Sequence, residues 1–332
     1  MRHFSTKKVV VLFLITILTF TLSACTASTS KKESPETLPN QSETLPDQSK
    51  VSNENNTQNV ITDREGNPFT VPEKMDKIIS MAPSITETLI DLGLGDKIIA
   101  TDKYSVGTEG LPEGLPTYDI MAPDTESITA LKPDVIFATG MSRAKGDDPF
   151  KPVTDLGVTM TYIPSATSIQ GIKDDIIFIG KVTGTEEKAK SIVTDLEKAI
   201  SDITYKIGDK KSGKKVFFEI AAAPDMYSFG KGTFLNEIIE LLGAENILAD
   251  QDSWVSVSEE VVLQKNPEVI FTNVDYLEDP IADVLNRNGW DVINAVKNKQ
   301  VYQIDKNSSS HPNEFVVKAI SEMAKALYPD LF

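Results

Sequence analysis

After residue 59, short apolar runs alternate along the chain with longer segments in which apolar residues recur at helical spacing. Apolar runs of roughly four to eight residues between Gly, Pro or charged residues are typical of buried strands, and longer segments with apolar residues at helical spacing are typical of helices. A Gly-containing turn at Asp63–Asn67 between two apolar segments predicts a hairpin first. The pattern then predicts strand 77–81, helix 84–92, strand 97–101, helix 124–131, strand 134–139, helix 149–156 and strand 159–163.

A long helical segment follows at 168–207, with a candidate capping box formed by Thr183 and Glu186 in its middle. The alternation then resumes with strand 215–220, helices 233–242 and 258–265, strands 268–272 and 300–304, and a final helix at 313–327. The predicted fold class is therefore α/β, with two α/β sandwich lobes of mainly parallel sheets joined by one long helix. We place the N-terminal lobe at 59–167, the connecting helical segment at 168–207 and the C-terminal lobe at 208–332.

An internal repeat supports the division into two lobes. The segment Glu126–Phe137 (ESITALKPDVIF) recurs as Glu260–Phe271 (EVVLQKNPEVIF), so that a glutamate opens a short helix, a proline ends it and a buried strand follows. A second pair precedes it in the same order, ETLIDLG at 87–93 and EIIELLG at 237–243. Two matches in register indicate two equivalent lobes.

The N-terminal segment reads as a targeting signal. Arg2, Lys7 and Lys8 precede an apolar run that is too short to span a hydrocarbon core of about 30 Å, which predicts a signal peptide at 1–24. Small residues directly before Cys25, the single cysteine, resemble a bacterial lipobox, so we expect Cys25 to be lipidated and to anchor the protein. The polar residues that follow predict a disordered tether, giving a lipidated cysteine and tether at 25–58.

Composition excludes several classes of function. The formal net charge of -16 argues against nucleic acid as a partner, and His311 is the one histidine left after signal-peptide removal, so a three-histidine zinc site is impossible. The glycines of Phe229–Thr233 lack the spacing of a phosphate loop, and Ser308–His311 has no accompanying nucleophile elbow. We therefore expect no enzymatic activity, no protein-held metal and no cofactor.

From Val60 to Phe332 the chain resembles the ABC importer binding proteins for iron-siderophores, haem and cobalamin. The resemblance rests on residues 78–87 (IISMAPSITE), on PDTE at 123–126 with LKPD at 131–134, and on WVSVSEE at 254–260. It implies a class III periplasmic-binding-protein fold, with a ligand held between the lobes. It also implies a monomer on the outer face of the cell membrane that delivers its solute to a permease and ATPase complex. An adhesive or structural surface lipoprotein is the remote alternative.

Members of this family dock on their permease through one exposed acidic residue in each lobe. The resemblance places Glu126 and Glu260 at those positions, and the internal repeat independently makes the two residues equivalent. Two carboxylates held apart on one body would fix its orientation on a partner, because surface charge pairs confer specificity more than affinity. A glutamate at a helix start also favours the helix dipole, and both interpretations can hold together.

The ligand site is expected beyond the carboxyl ends of the parallel strands, where α/β proteins bind small molecules. Aromatic, methionine and small polar residues predominate there, which suits a broad and partly apolar ligand. The candidate ligand-binding residues are Ser84, Tyr104, Met121, Met141, Arg143, Tyr227, Phe229, Trp254, Asn273 and His311.

An iron complex, either siderophore or haem, is the first expectation for the ligand, and a corrinoid is the alternative. By the resemblance, Tyr104 and Trp254 fall on aromatic contacts of cobalamin binders, but Ile120 and Thr139 replace two others. Arg143 is the one candidate partner for an anionic siderophore chelate. For haem, the residues Met121, Tyr104 and His311 are candidate axial ligands.

Overall fold

The computed structural model describes residues 59–143 and 146–332. The predicted signal peptide (1–24), the lipidation site Cys25 and the predicted tether (25–58) lie outside the described residues. None of the described helices combines the length and apolar character needed to cross a membrane.

The described chain opens with the predicted antiparallel hairpin, made of β1 (Val60–Thr62) and β2 (Pro68–Thr70). The Asp63 carboxylate closes its turn by accepting hydrogen bonds from the backbone N–H groups of Glu65 and Asn67, at 2.9 and 2.8 Å. Gly66 has a φ of 88°, a left-handed conformation that glycine adopts without a Cβ clash. The local sequence thus accounts for the turn.

The first parallel sheet has five strands in the order β5-β4-β3-β6-β7. These strands are β3 (Ile78–Met81), β4 (Ile98–Asp102), β5 (Thr117–Tyr118), β6 (Val135–Thr139) and β7 (Met160–Ile163). Three α-helices connect them, α1 (Pro83–Asp91), α2 (Thr125–Leu131) and α3 (Lys151–Asp155). All residues of β3 and β6 are buried, because helices and neighbouring chain cover both faces, and this explains their continuous apolar sequence.

The connecting segment is helical as predicted, but it consists of two helices, α4 (Ile169–Thr183) and α5 (Glu186–Ile207). The break lies at Gly184, whose left-handed φ of 73° ends α4. The long helix α5 begins at Glu186, yet the predicted capping box is wrong. Thr185 is the N-cap residue, and the Thr183 hydroxyl donates to the carbonyl of Ile179 instead.

The second parallel sheet has four strands in the order β10-β8-β12-β13, and a separate antiparallel pair joins β9 to β11. The strands are β8 (Lys215–Glu219), β9 (Tyr227–Phe229), β10 (Glu245–Asn246), β11 (Trp254–Ser256), β12 (Val269–Thr272) and β13 (Val301–Gln303). The helices are α6 (Phe234–Leu241), α7 (Glu259–Lys265), α8 (Pro280–Asn286), α9 (Asn294–Lys297), α10 (Lys306–Ser310) and α11 (Val316–Leu327).

The two sheets repeat one arrangement, as the internal repeat predicts. The strand order β10-β8-β12-β13 corresponds to β4-β3-β6-β7 in the first sheet. The equivalent helices α2 and α7 both end at a residue with positive φ, Lys132 at 51° and Asn266 at 48°. In both cases the next residue is proline, which disfavours further helix, and a buried strand follows.

One hydrophobic core cluster runs through both lobes. It contains Ile78 and Phe137 from the first sheet, Phe218 and Phe271 from the second, and residues of α4, α5 and α11. Helices α4 and α5 pack closely, since a Cβ atom on Gly180 would lie 2.4 Å from the Cβ of Ala189. The connecting helices therefore join the two sheets into a continuous packed interior.

Candidate ligand-binding site

A cavity of about 670 Å³ lies between the two lobes at the carboxyl ends of their strands. The first lobe contributes Met81, Ala82, Pro83, Ser84, Ile85, Thr88, Asp102, Tyr104, Ile120, Thr139, Met141, Ile163, Pro164, Ser165, Ala166 and Thr167. Helix α4 contributes Asp175, Ile176 and Ile179. The second lobe contributes Ile220, Tyr227, Gly232, Thr233, Phe234, Ser253, Trp254, Asn273, Ser309, Ser310, His311 and Pro312. A cavity of this size, largely apolar with a few polar groups, is typical of small-molecule sites.

Three aromatic side chains in the wall remain partly exposed, Tyr104 at 67%, Trp254 at 40% and Tyr227 at 38%. The Trp254 ring rests edge-on against Phe229 and Phe234, with ring centroids 5.9 and 6.5 Å away. Pairing of β11 with β9 holds the Trp254 backbone in place. Phe229 and Phe234 therefore support one side of the indole, and its exposed surface is available to a ligand.

The structure places most of the predicted site residues in this wall. They are Ser84, Tyr104, Met141, Tyr227, Trp254, Asn273 and His311. Their contact with a ligand remains a prediction, but the topology brings them together from both lobes.

The structure corrects three of the predicted site positions. The cavity is not lined by Met121, Arg143 or Phe229. Phe229 is fully buried beneath Trp254. Met121 follows the wall residue Ile120 in a turn where its own N–H donates to the Asp119 carboxylate at 2.9 Å.

Arg143 is held by groups of its own lobe. Its guanidinium hydrogen-bonds to Glu65 of the hairpin and stacks over the Tyr162 ring, 3.6 Å from the centroid. The Tyr162 hydroxyl in turn donates to Asp148. These partners, distant in sequence, account for the position of the cation away from the wall.

The charged groups in the wall are carboxylates with partners. Asp102 is fully buried and accepts hydrogen bonds from the Tyr104 N–H at 2.7 Å and from the Ser105 hydroxyl. Asp175 forms an ion pair with Arg64 of the hairpin at 2.6 Å. Burial raises the pKa of Asp175 to about 6, although Arg64 opposes that shift. Within the described part of the chain, no lysine or arginine lines the cavity.

The wall positions of Asp102 and Asp175 and the contribution of α4 were not predicted from the sequence. A signal for Asp175 was present, because it lies on the same helical face as the apolar residues Ile172, Ile176 and Ile179. A carboxylate on the buried face of an amphipathic helix needs a partner or a ligand. No comparable periodicity marks Asp102, which ends a short strand. Among the described residues, no group of three or more His, Cys, Asp or Glu side chains is placed to hold a metal.

Polar contacts between the lobes lie beside the cavity, and we call this set of residues the interlobe clasp. Its members are Glu87 and Thr88 of α1, and His311, Asn313 and Glu314 of the second lobe. His311 Nδ1 lies 2.9 Å from Glu87 Oε1, and the Asn313 amide donates to the same carboxylate. The Thr88 hydroxyl donates to Glu314 at 3.0 Å. Thr88 and His311 also line the cavity, so the clasp borders the site directly.

Glu314 should make the stability of the protein depend on pH. Burial raises its pKa to about 7, and the carboxylates of Asp91 and Glu87 add to the shift. Its ordinary pKa is about 4.3, so its stabilising contribution is complete below about pH 4.3 and is lost as pH rises through about 7. Glu314→Gln should therefore stabilise the fold more at pH 8 than at pH 5, by about 2 kcal/mol in the difference. Thermal or denaturant unfolding of both proteins at each pH measures this, and an equal effect at the two pH values would contradict it.

The predicted docking glutamates occupy equivalent, exposed places in the two lobes. Glu126 and Glu260 are each the second residue of a short helix, α2 and α7. The backbone N–H of Glu260 and the Ser258 side chain hydrogen-bond to the Glu260 carboxyl and hold its pKa below the ordinary value. Neither glutamate lines the cavity, so their positions separate them from ligand binding.

Two α/β lobes with parallel sheets, joined by helices and enclosing a cavity at the strand ends, define a two-lobed solute-binding protein. The family model described as periplasmic binding protein matches residues 78–308, and the chain belongs to this family. Proteins of this family are solute-binding components of transport systems.

The uncharacterized ABC transporter substrate-binding lipoprotein YvrC of Bacillus subtilis strain 168 is 32% identical over 274 residues, which are 82% of this chain and 86% of that protein. A vitamin B12-binding protein of Vibrio cholerae is 27% identical over 261 residues, 77% of this chain and 90% of that protein. The solved structure described as a possible iron-binding (periplasmic solute-binding) protein from Staphylococcus epidermidis is 30% identical, with a TM-score of 0.67. The match covers 77% of this chain and all of that one.

Proposed function

We propose that this protein is the solute-binding component of an ABC importer, and that it captures a bulky metal chelate without net negative charge, of which a corrinoid fits best. The observation that carries the proposal is the cavity wall, which combines apolar and aromatic surface with paired carboxylates and no lysine or arginine among its described residues. The capture step is binding alone, since no chemistry is required of the wall. Release then follows docking on a permease and its ATPase.

The charge of the wall restricts the ligand. An anionic group that leaves water must find a cation or several donors, or it loses several kcal/mol of hydration free energy. Arg143, the predicted partner for an anionic chelate, is engaged by Glu65 and Tyr162. Anionic catecholate complexes and the propionates of haem would therefore lack a counter-charge. Of the iron complexes that we expected first, only neutral or cationic ferric chelates meet this charge condition. We rank them second to a corrinoid.

A corrinoid such as cyanocobalamin meets the charge condition, because its one phosphodiester is balanced by the cobalt(III) corrin centre and the molecule has no net charge. Its macrocycle is broad, its peripheral amides are uncharged, and its faces can contact the exposed rings of Tyr104, Tyr227 and Trp254. The name of the Vibrio cholerae relative, vitamin B12-binding protein, supports this choice. A neutral or cationic ferric chelate is the second candidate, supported by the Staphylococcus epidermidis protein that is described as possibly iron-binding.

We extend the proposal to the location and the partner. Lipidation of Cys25 would hold the protein on the outer face of the cell membrane, and the lipoprotein name of the Bacillus subtilis relative supports this. Glu126 and Glu260, exposed on equivalent helices, would contact the permease.

A ligand panel tests the proposed function. We expect cyanocobalamin to bind with 1:1 stoichiometry in calorimetry and to raise the melting temperature. A cationic ferric trihydroxamate should bind more weakly, and an anionic ferric catecholate and haemin should bind least. The chain has two tryptophans, and Trp290 is fully buried, so quenching that disappears in Trp254→Phe reports on the cavity. If no member of the panel raises the melting temperature, the ligand class is wrong. Tight binding of the anionic complexes alone would refute the charge argument.

A further inference from the structure

The β1–β2 hairpin is tied to the wall of the cavity by charged and aromatic contacts. Its two strands pair with each other, and Phe69 packs edge-on against Phe178 of α4, with ring centroids 6.4 Å apart. The turn contributes Arg64 to Asp175 and Glu65 to Arg143. Because several contacts fix the turn, the position of Arg64 is determined by the fold.

Arg64 does not line the cavity, but it contacts Asp175, which lines it from α4, and we call this part of the wall the floor. Its Nε donates to Asp175 Oδ1 at 2.6 Å, its Nη2 donates to the Gly171 carbonyl at 3.5 Å, and Asp174 lies 3.9 Å away. The Asp175 side chain is 8% exposed, and that of Arg64 is 24% exposed. Asp175 therefore separates a fixed cation from the ligand space and cancels its charge there.

We propose that Arg64 and Asp175 together determine the charge selectivity of the site. Arg64 supplies a cation close to the ligand space, and Asp175 neutralises it, so that the floor attracts neither anions nor cations strongly. The hairpin is thus a part of the ligand site, although its residues do not line the cavity. This inference rests on the proposed function only in taking the cavity as the place where a solute binds.

The pair has a consequence that substitutions can expose. Asp175→Asn keeps the size of the side chain but removes its charge, which leaves Arg64 only the longer ion pair with the more exposed Asp174 at 3.9 Å. An anionic probe should then gain affinity, because a charge interacts more strongly in a partly dehydrated cavity than in water. A neutral probe should not gain, because no apolar contact changes.

Two dyes that differ in charge replace the unidentified solute in the test. The anionic probe is 8-anilinonaphthalene-1-sulfonate, and the neutral probe is Nile red. Energy transfer from Trp254, lost in Trp254→Phe, identifies dye bound in the cavity. We expect Asp175→Asn to increase affinity for the sulfonate by about fivefold or more, and affinity for Nile red to change less than about twofold. The double variant Arg64→Gln with Asp175→Asn should lose the gain.

A pH profile provides a second measurement that a merely structural role would not produce. The charged groups that face Asp175 are Arg64 from the hairpin and Asp174 from its own helix. The pKa of Asp175 is raised to about 6, so acidification through that value should uncover Arg64 in the unsubstituted protein. Sulfonate affinity should therefore rise as pH falls from 7.5 to 5. The rise should be much smaller in Asp175→Asn, where other groups that border the cavity, such as Glu314, still titrate but Asp175 no longer does. The charge of the sulfonate itself is constant over this range.

Unchanged sulfonate affinity in Asp175→Asn would overturn the inference. An equal gain for both dyes would also overturn it, because it would show a loosened cavity instead of an exposed charge. Cyanocobalamin separates this failure from that of the proposed function. If cyanocobalamin binds but the sulfonate gain is absent, the charge pair is wrong and the ligand assignment stands. If the sulfonate gain is present and no chelate binds, the charge pair stands and the ligand assignment is wrong.

Discussion

Trp254→Ala should weaken binding of the captured chelate by at least about tenfold, because truncating a central aromatic anchor typically costs about 2 kcal/mol or more. The indole is supported by Phe229 and Phe234, so its orientation is set before a ligand arrives. Its removal deletes a preformed contact surface and opens space that water fills. Calorimetric titration with cyanocobalamin measures the change in Kd.

Trp254→Phe is the matched control, because phenylalanine retains an aromatic face on the same strand. It should lose much less affinity than the alanine variant. Both variants must unfold at temperatures close to that of the unsubstituted protein, since Trp254 is 40% exposed and contributes only part of its area to the core. An alanine variant that is folded and binds with unchanged Kd would show that the ligand does not contact this wall.

Replacing both Glu126 and Glu260 by alanine should reduce solute uptake by about tenfold and by more than either single change, because each carboxylate is expected to meet a cation on the permease. The fold should lose no more than about 0.5 kcal/mol per site, since both side chains are exposed at helix starts. Solute binding should remain unchanged, because neither residue lines the cavity. Uptake by cells that carry each variant, together with binding to the purified protein, separates delivery from capture.

The double variant Glu113→Ala with Glu187→Ala is the control, because it removes the same charge from two other exposed positions. It should transport normally. Normal transport by the Glu126 and Glu260 double variant would mean that the repeat reflects only the equivalence of the lobes. Loss of solute binding in that variant would mean that the cavity between the lobes is not the ligand site.

The sequence was sufficient for the features that depend on local pattern. Apolar runs at β3 and β6 identify buried parallel strands, and the repeat around Pro133 and Pro267 identifies equivalent lobes. The two sheets share one strand order, because equivalent segments occupy equivalent places in them, but that order itself was not predicted from the sequence. Residues at strand ends such as Ser84 could be assigned to one cavity for the same reason.

The features that the sequence did not predict depend on contacts between distant residues. Arg143 looked available to a ligand until Glu65, 78 positions earlier, was placed beside it. Phe229 looked like a wall residue, but Trp254 covers it. The break at Gly184 gave a weak local signal, since a single glycine occurs inside many helices at a cost of only about 1 kcal/mol. The close packing of α4 against α5 explains why the helix breaks at Gly184 instead of continuing.

The interlobe clasp and the connecting helices both border the cavity, and one core cluster continues through both lobes. Pulling the lobes apart would break the hydrogen bonds of Glu87 and Thr88 and would divide that cluster, so the spacing between Glu126 and Glu260 should hardly depend on whether a solute is present. Vacant and loaded molecules would then present the same two carboxylates to a permease and compete for it. Import would be governed by the fraction of receptors that carry solute, and overproducing the protein at low solute concentration would slow uptake.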